Sequence, residues 1–154
     1  MKIAVVDDSK FTRMVIKQIL NDLSNTDFCW EAENGKVALE KNTRDPVDLI
    51  ISDLEMPVLD GLQLLKKVIG GEAKTKCLLI SAFHKSNQPK IIDALKAGAI
   101  GFIEKNSLGK GFDINSLKKE IDKYINFLTQ DNILKKEIRA TSLENHLRKP
   151  VVKN

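Results

Sequence analysis

Lys2-Ile3-Ala4-Val5-Val6-Asp7-Asp8-Ser9 is the stretch on which the reading of the chain turns. Four apolar residues, three of them β-branched, run without interruption and stop at two acids. Such a run reads as a short strand buried on both faces, with its carboxyl end opening onto something polar. The pattern returns at Val47 to Ile51, followed by Ser52-Asp53, and at Cys77 to Ile80, followed by Ser81. A weaker, alternating strand is predicted at Phe28 to Ala32 and a fifth at Gly101 to Ile103.

Helical patterns separate these runs. Phe11, Val15, Ile19 and Leu23 mark the first, Val37 to Lys41 a short second, Leu62, Leu65 and Ile69 the third, and Ile91 to Leu95 the fourth. Ile114, Leu117, Ile121, Ile125 and Leu128 mark the last, each set placing apolar residues on one face. Ser9 is placed to cap the first helix, Asp60-Gly61 opens the third after a turn at Pro57, Gly70-Gly71 ends it and Gly98 closes the fourth. Strict strand-helix alternation predicts an α/β fold, a doubly wound five-stranded parallel sheet with helices on both faces.

Composition narrows the class. The 154 residues lie within the usual range for one domain, and the ordinary apolar fraction of 42% with mixed charge supplies one sizeable core. No apolar run reaches the roughly 20 residues that span a bilayer, and two acids arrive too early for a secretory signal, so a cytoplasmic location and no membrane partner are expected. Cys29 and Cys77 lie in predicted strands without metal-ligand spacing and read as reduced packing residues. The net charge of +4 is concentrated late: residues 131 to 154 carry 6 Lys/Arg against 3 Asp/Glu. A basic helical extension or linker over residues 130–154, following a domain of residues 1–129, is the expected organisation. A solvated tail explains its charge, and nucleic acid is not an expected partner.

In an open α/β sheet, ligands bind outside the carboxyl ends of the strands where strand order reverses. For the flavodoxin-like order 2-1-3-4-5, that point lies between strands one and three. Asp7 and Asp8 end strand one, and Asp53 ends strand three. Singly, each is an ordinary loop acid or helix cap. Converging, they repel one another unless a cation neutralises them, and an oxygen-only cluster suits a hard divalent ion such as Mg2+. Ser81 and Lys105 approach the same crevice from strands four and five. Alone they would be a turn former and a surface lysine; with the acids they supply a nucleophile, a metal site and donors for a transferring phosphoryl group.

Val5-Val6-Asp7-Asp8-Ser9, Asp53-Leu54-Glu55-Met56-Pro57-Val58-Leu59-Asp60-Gly61, Ser81-Ala82 and Ala97-Gly98-Ala99-Ile100-Gly101-Phe102-Ile103-Glu104-Lys105 together resemble the receiver domain of response regulators, over about residues 2 to 128. The resemblance implies that Asp53 takes a phosphoryl group from a histidine kinase or phosphotransfer protein. It implies magnesium held by Asp8, Asp53 and the backbone carbonyl of Glu55, with Asp7 helping through water. Ser81 and Phe102 would form a switch acting on an output, and Lys105 would grip the phosphoryl group. A narrower resemblance, to the receiver of the chemotaxis methylesterase, rests on Glu55 to Leu62 and on the extended segment Asn106 to Ile114. No GxSxG elbow occurs, so no methylesterase chemistry is expected of this chain, which would regulate an output domain or work alone.

Two departures stand out. Phe102 occupies a position where tyrosine is commoner. Asn106 follows Lys105 where the family usually has proline, and a cis bond before Asn106 would cost about 2.5–4 kcal/mol. The rival from another class is a metal-dependent phosphohydrolase with an aspartyl-phosphate intermediate, for which the chain offers no evident second acid/base and no cap. A receiver-shaped module that is never phosphorylated is the other alternative. Neither a P-loop nor GxGxxG is present, so a nucleotide-binding reading has no support in the sequence.

Overall fold

The computed structural model describes residues 1–105 and 114–148. Asn106 and its bond to Lys105, the segment leading to Ile114, and the last residues of the expected tail lie outside them. Among the described residues five strands and five helices alternate: β1 (Lys2–Val6), α1 (Lys10–Asp22), β2 (Asp27–Ala32), α2 (Gly35–Arg44), β3 (Leu49–Ser52), α3 (Gly61–Ile69), β4 (Lys76–Ser81), α4 (Gln88–Ala97), β5 (Gly101–Glu104) and α5 (Ile114–Leu147). The strands form one sheet in the order β2-β1-β3-β4-β5, and every pairing is parallel. This is the arrangement expected from the alternation.

Both faces of the sheet are covered because the central strands are apolar on both. Ile3 and Val5 join Ile16, Ile19, Leu20, Leu117, Ile121 and Ile125 on one side. Ala4 and Val6 join Leu54, Leu64, Leu65, Val68, Ile91 and Ala94 on the other. Successive residues of β1 thus serve opposite layers, as period-two geometry requires. Cys77 is buried among these side chains, which pushes its thiol up to about 12. Burial likewise raises Cys29, and both cysteines are free.

Two helix faces differ from expectation. In α1 the buried set is Thr12, Val15, Ile16, Ile19 and Leu20, while Phe11 is exposed. A strict i, i+4 ladder advances about 40° per step around a helix of 3.6 residues per turn, so Phe11, the first rung of Phe11-Val15-Ile19-Leu23, falls outside the core face while Leu23 packs against it. In α3 the core takes Leu64, Leu65 and Val68, a stripe centred to one side of the Leu62-Leu65-Ile69 set, and Ile69 is exposed. Val47 is buried but precedes β3: its N–H is taken by Asn42 Oδ1 at 3.0 Å and its carbonyl by Thr75 Oγ1 at 2.7 Å, in place of ladder bonds. Leu128 is the last buried residue of α5, which continues as an exposed helix to Leu147. Among the described residues, no helix is long and apolar enough to cross a membrane.

The caps fall where the sequence places them. Ser9 accepts from Thr12 N, Asp60 and Gln63 form a reciprocal capping box, and Gly98 ends α4 at φ 117°. One backbone feature has no sequence signal. Val58 sits at φ 71°, and Leu59 N donates to Pro57 O at 2.8 Å across it, a tight γ-turn that a β-branched residue rarely occupies. Val58 is also exposed, so packing does not repay the strain. Val58→Asn should raise the unfolding free energy by about 1 kcal/mol, read from the urea midpoint; an unchanged or lower midpoint would show that this turn carries no strain.

Candidate functional site

Parallel pairing puts the ends of β1 and β3 side by side, and the residues just past them are Asp7 and Asp53. Asp53 N donates to Val6 O at 2.9 Å and Asp7 N to Ala32 O at 3.1 Å, so the ladder continues one residue into each loop and fixes both acids. Their side chains are 2% and 8% exposed. Asp8, next along, is exposed. Asp7, Asp8 and Asp53 each offer a carboxylate oxygen within 4.8 Å of the others.

The expected partners converge on Asp53. Its Oδ1 accepts from Ser81 Oγ at 2.9 Å and from Glu55 N at 3.3 Å. Lys105 Nζ donates to Asp53 Oδ2 at 3.2 Å and to Asp7 Oδ2 at 2.9 Å. The Glu55 carboxylate points elsewhere, lying 3.8 Å from His84. Phe102 is partly buried, packs against the cluster containing Leu79 and Ile91, and pairs with Leu79 two rungs before Ser81 and Glu104.

Charge here is under-compensated. Burial pushes the Asp7 carboxyl above its ordinary 3.8, and the neighbouring Asp53 adds to this, against the bonds from Lys105 and Ser9 N. Burial also works against the Lys105 ammonium, yet bonds and attraction to Asp7 and Asp53 outweigh it and hold Lys105 above its ordinary 10.5. A cation shared by two acids is itself well satisfied while leaving Asp7 short. An all-oxygen set carrying net negative charge fits a hard divalent cation, Mg2+ being the natural candidate.

Three further residues shape the site in ways that sequence reasoning did not assign to them. Gly61 is one: a Cβ there would collide with the Asp53 carbonyl and lie 2.8 Å from Leu54 Cα, while Gly61 N donates to Leu54 O at 2.8 Å. Glycine therefore lets α3 start directly against the backbone of Asp53. Buried Asn87 is another, donating to Ala82 O at 2.7 Å and accepting from His84 N at 3.0 Å, which ties down the loop after Ser81. Arg13 is the third, its Nη1 donating to Asp7 O at 2.6 Å. The capping signal at Asp60-Gly61 pointed near the first; the other two have none.

A doubly wound sheet with three acids, a hydroxyl and a lysine at its switch point has the architecture and the chemistry of a signalling domain of the two-component type. The sequence model of the response regulator receiver domain matches residues 3–122. Similarity is 32% identity over 152 residues to a protein-glutamate methylesterase/protein-glutamine glutaminase of Syntrophomonas wolfei, covering 99% of this chain and 41% of that protein. It is 36% over 125 residues to the chemotaxis protein CheY of Bacillus subtilis, covering 81% and 98%. The crystal structure of the response regulator domain of Thermotoga maritima CheB superimposes with a TM-score of 0.70 at 31% identity, covering 82% of this chain and 93% of that one. The chain belongs to the response regulator receiver domain family, and its role is that of a two-component receiver. It spans about two-fifths of the length of the methylesterase relative.

The raised Asp7 carboxyl sets a pH dependence. Below its ordinary value Asp7 is protonated whether the chain is folded or not. Between that value and the raised one, the folded chain keeps a proton that the unfolded chain has released, so stability falls as pH rises through this window. In metal-free protein, wild type should lose stability relative to Asp7→Asn as pH rises above the ordinary carboxylate value, read in urea titrations. A difference that stays flat or grows in favour of wild type would remove the charge deficit inferred for Asp7.

Proposed function

We propose that Asp53 is the phosphoryl acceptor, taking the group from the phosphohistidine of a histidine kinase or phosphotransfer protein, with magnesium as cofactor. The observation that carries this is the convergence on one buried carboxylate of a hydroxyl at 2.9 Å and an ammonium at 3.2 Å, inside an acid cluster. An ionised carboxylate needs no general base. In the transfer, one Asp53 oxygen forms a bond to phosphorus as the N–P bond of the donor breaks, and the departing imidazole takes up a proton from solvent. Asp8, Asp53 and the Glu55 backbone carbonyl would hold magnesium, with Asp7 assisting through water. Bound there, the ion neutralises charge developing on the phosphoryl oxygens.

Around that step the chain's own groups have separate tasks. Lys105 leaves its bridge between Asp7 and Asp53 to meet the phosphoryl oxygens. Ser81 exchanges its bond to Asp53 Oδ1 for one to the phosphoryl group, and Phe102 turns into the space this vacates. The change reaches the face of α4, β5 and α5, and through it an output. The long match to methylesterases favours a receiver that regulates such an output rather than one that itself hydrolyses esters. The domain of residues 1–129 carries the chemistry, and residues 130–154 connect it. The cytoplasm is the compartment such a phosphorelay requires.

Acetyl phosphate with magnesium should add one phosphoryl group to wild type and none to Asp53→Asn, read by intact mass. Asp8→Ala should slow labelling and raise the magnesium requirement. Labelling that persists in Asp53→Asn would sink the assignment, and sustained turnover of generic phosphate esters would favour a phosphohydrolase instead.

Phe102→Ala tests the switch separately from the chemistry. With beryllofluoride as phosphoryl mimic, wild type should change amide exchange in α4 and β5, and Phe102→Ala should lose that change while still being labelled. Changes at the α4–β5 face that are independent of Phe102 would keep the surface and discard the aromatic.

A further inference from the structure

We infer that Arg13, backed by Glu31, is a positioning residue that fixes the Asp7–Asp8 turn in the geometry a divalent cation needs; this rests on the metal-dependent reading above. Arg13 lies one turn into α1, with its side chain 14% exposed. Its Nη1 donates to the Asp7 carbonyl at 2.6 Å, and its Nε lies 3.5 Å from Glu31 Oε2 on β2. That second approach stops short of a hydrogen bond, so the bond Arg13 completes is the one to Asp7. Lys17, one turn further along α1, brings its ammonium to 2.9 Å from the same Glu31 oxygen.

The consequence appears when the polar atoms of Asp7 are taken in turn. The N–H is held by the Ala32 carbonyl, Oδ1 by Ser9 N, Oδ2 by Lys105, and the carbonyl by Arg13. The Asp7 carbonyl belongs to the same peptide plane as the Asp8 N–H, so pinning it sets the direction in which the Asp8 side chain leaves the backbone. Repulsion among three carboxylates acts to open this turn. The side chain of Asp7 is tethered across the site, but the peptide that aims Asp8 is restrained on its carbonyl side by Arg13. Glu31, 3.5 Å from Nε, offsets part of the guanidinium charge and favours its place beside β2. Arg13 touches neither phosphoryl group nor metal; it acts through the turn.

Magnesium binding, measured by calorimetric titration with magnesium chloride, tests this in the full chain. Arg13→Ala should raise the dissociation constant about tenfold, in the range found for partners that orient metal ligands. Arg13→Lys should recover part of the loss, Glu31→Gln should weaken binding by less than Arg13→Ala, and Lys17→Ala should leave it unchanged, since Lys17 reaches Glu31 but not Asp7. Labelling of Arg13→Ala by acetyl phosphate should return to the wild-type maximal rate at saturating magnesium, placing the effect in affinity rather than chemistry. In metal-free protein, amide exchange at Asp8 and Ser9 should quicken in Arg13→Ala. Should Arg13→Ala fold poorly, Arg13→Lys and Glu31→Gln carry the comparison.

The inference is overturned by magnesium affinity indistinguishable from wild type in the folded Arg13 variants, by a depressed maximal rate at saturating metal, or by an equal loss in Lys17→Ala. If wild type binds no magnesium, the metal reading fails on its own, and the exchange of Asp8 and Ser9 still decides whether Arg13 holds the turn.

Discussion

Two buried carboxylates share one ammonium, and most of the arrangement around the sheet's carboxyl edge follows from that. Lys105 reaches both Asp7 and Asp53 because β1 and β3 are neighbours in a parallel sheet and β5 delivers the lysine from the far side of β4. Like charges this close are tolerated only where backbone and side-chain donors hold them. The donors here come from the end of β4, the residue after β5 and the loops after β1 and β3, so the site needs all four of these strands in place.

Sequence separation measures how far that dependence reaches. The Lys105–Asp7 contact joins residues 98 apart, and the Ser81–Asp53 contact residues 28 apart. Local devices then remove the remaining freedom. Gly61 lets α3 abut the Asp53 backbone, the capping box starts that helix at Asp60, and Asn87 closes the loop after Ser81. Lys90 on α4 pairs with Asp60 at 2.9 Å, tying the helix after Ser81 to the helix after Asp53. Each device acts on a loop that carries a site residue, so rigidity is concentrated where geometry matters to the chemistry.

Strand identity was legible because buried parallel strands leave a continuous apolar run that ends abruptly at the site acids. The topology followed from alternation and handedness, and the convergence of Asp7, Asp8, Asp53, Ser81 and Lys105 followed from the topology. Helix faces were legible only in part. Phe11 and Ile69 are apolar at helical spacing, yet both lie off the centre of the buried stripe, and sequence periodicity does not say where that centre falls. Val58 gave no warning either, since its conformation is imposed by the turn between Pro57 and Leu59 and contradicts its own preference. Arg13 and Glu31 stayed hidden for another reason: their pairing crosses from α1 to β2, and an arginine on a helix near a site looks like any solvated cation until its carbonyl partner is known.

The charge deficit also fixes an order of events within the proposed chemistry. Metal-free, the pocket holds two buried acids against one lysine, and burial has already raised the proton affinity of Asp7. A phosphoryl group on Asp53 carries about two negative charges at neutral pH where the carboxylate carried one. Placed beside Asp7 and Asp8 with only Lys105 to answer it, that group would meet more repulsion than attraction. A divalent cation reverses the sign of the balance, so occupancy by the cation has to precede or accompany transfer, and its departure would weaken the grip on the phosphorylated state. Lys105 cannot substitute for it, because the ammonium is already shared between the two acids it would have to leave. The same lysine that makes the metal-free fold tolerable is therefore free to serve the phosphoryl group only after another cation has taken over its acids.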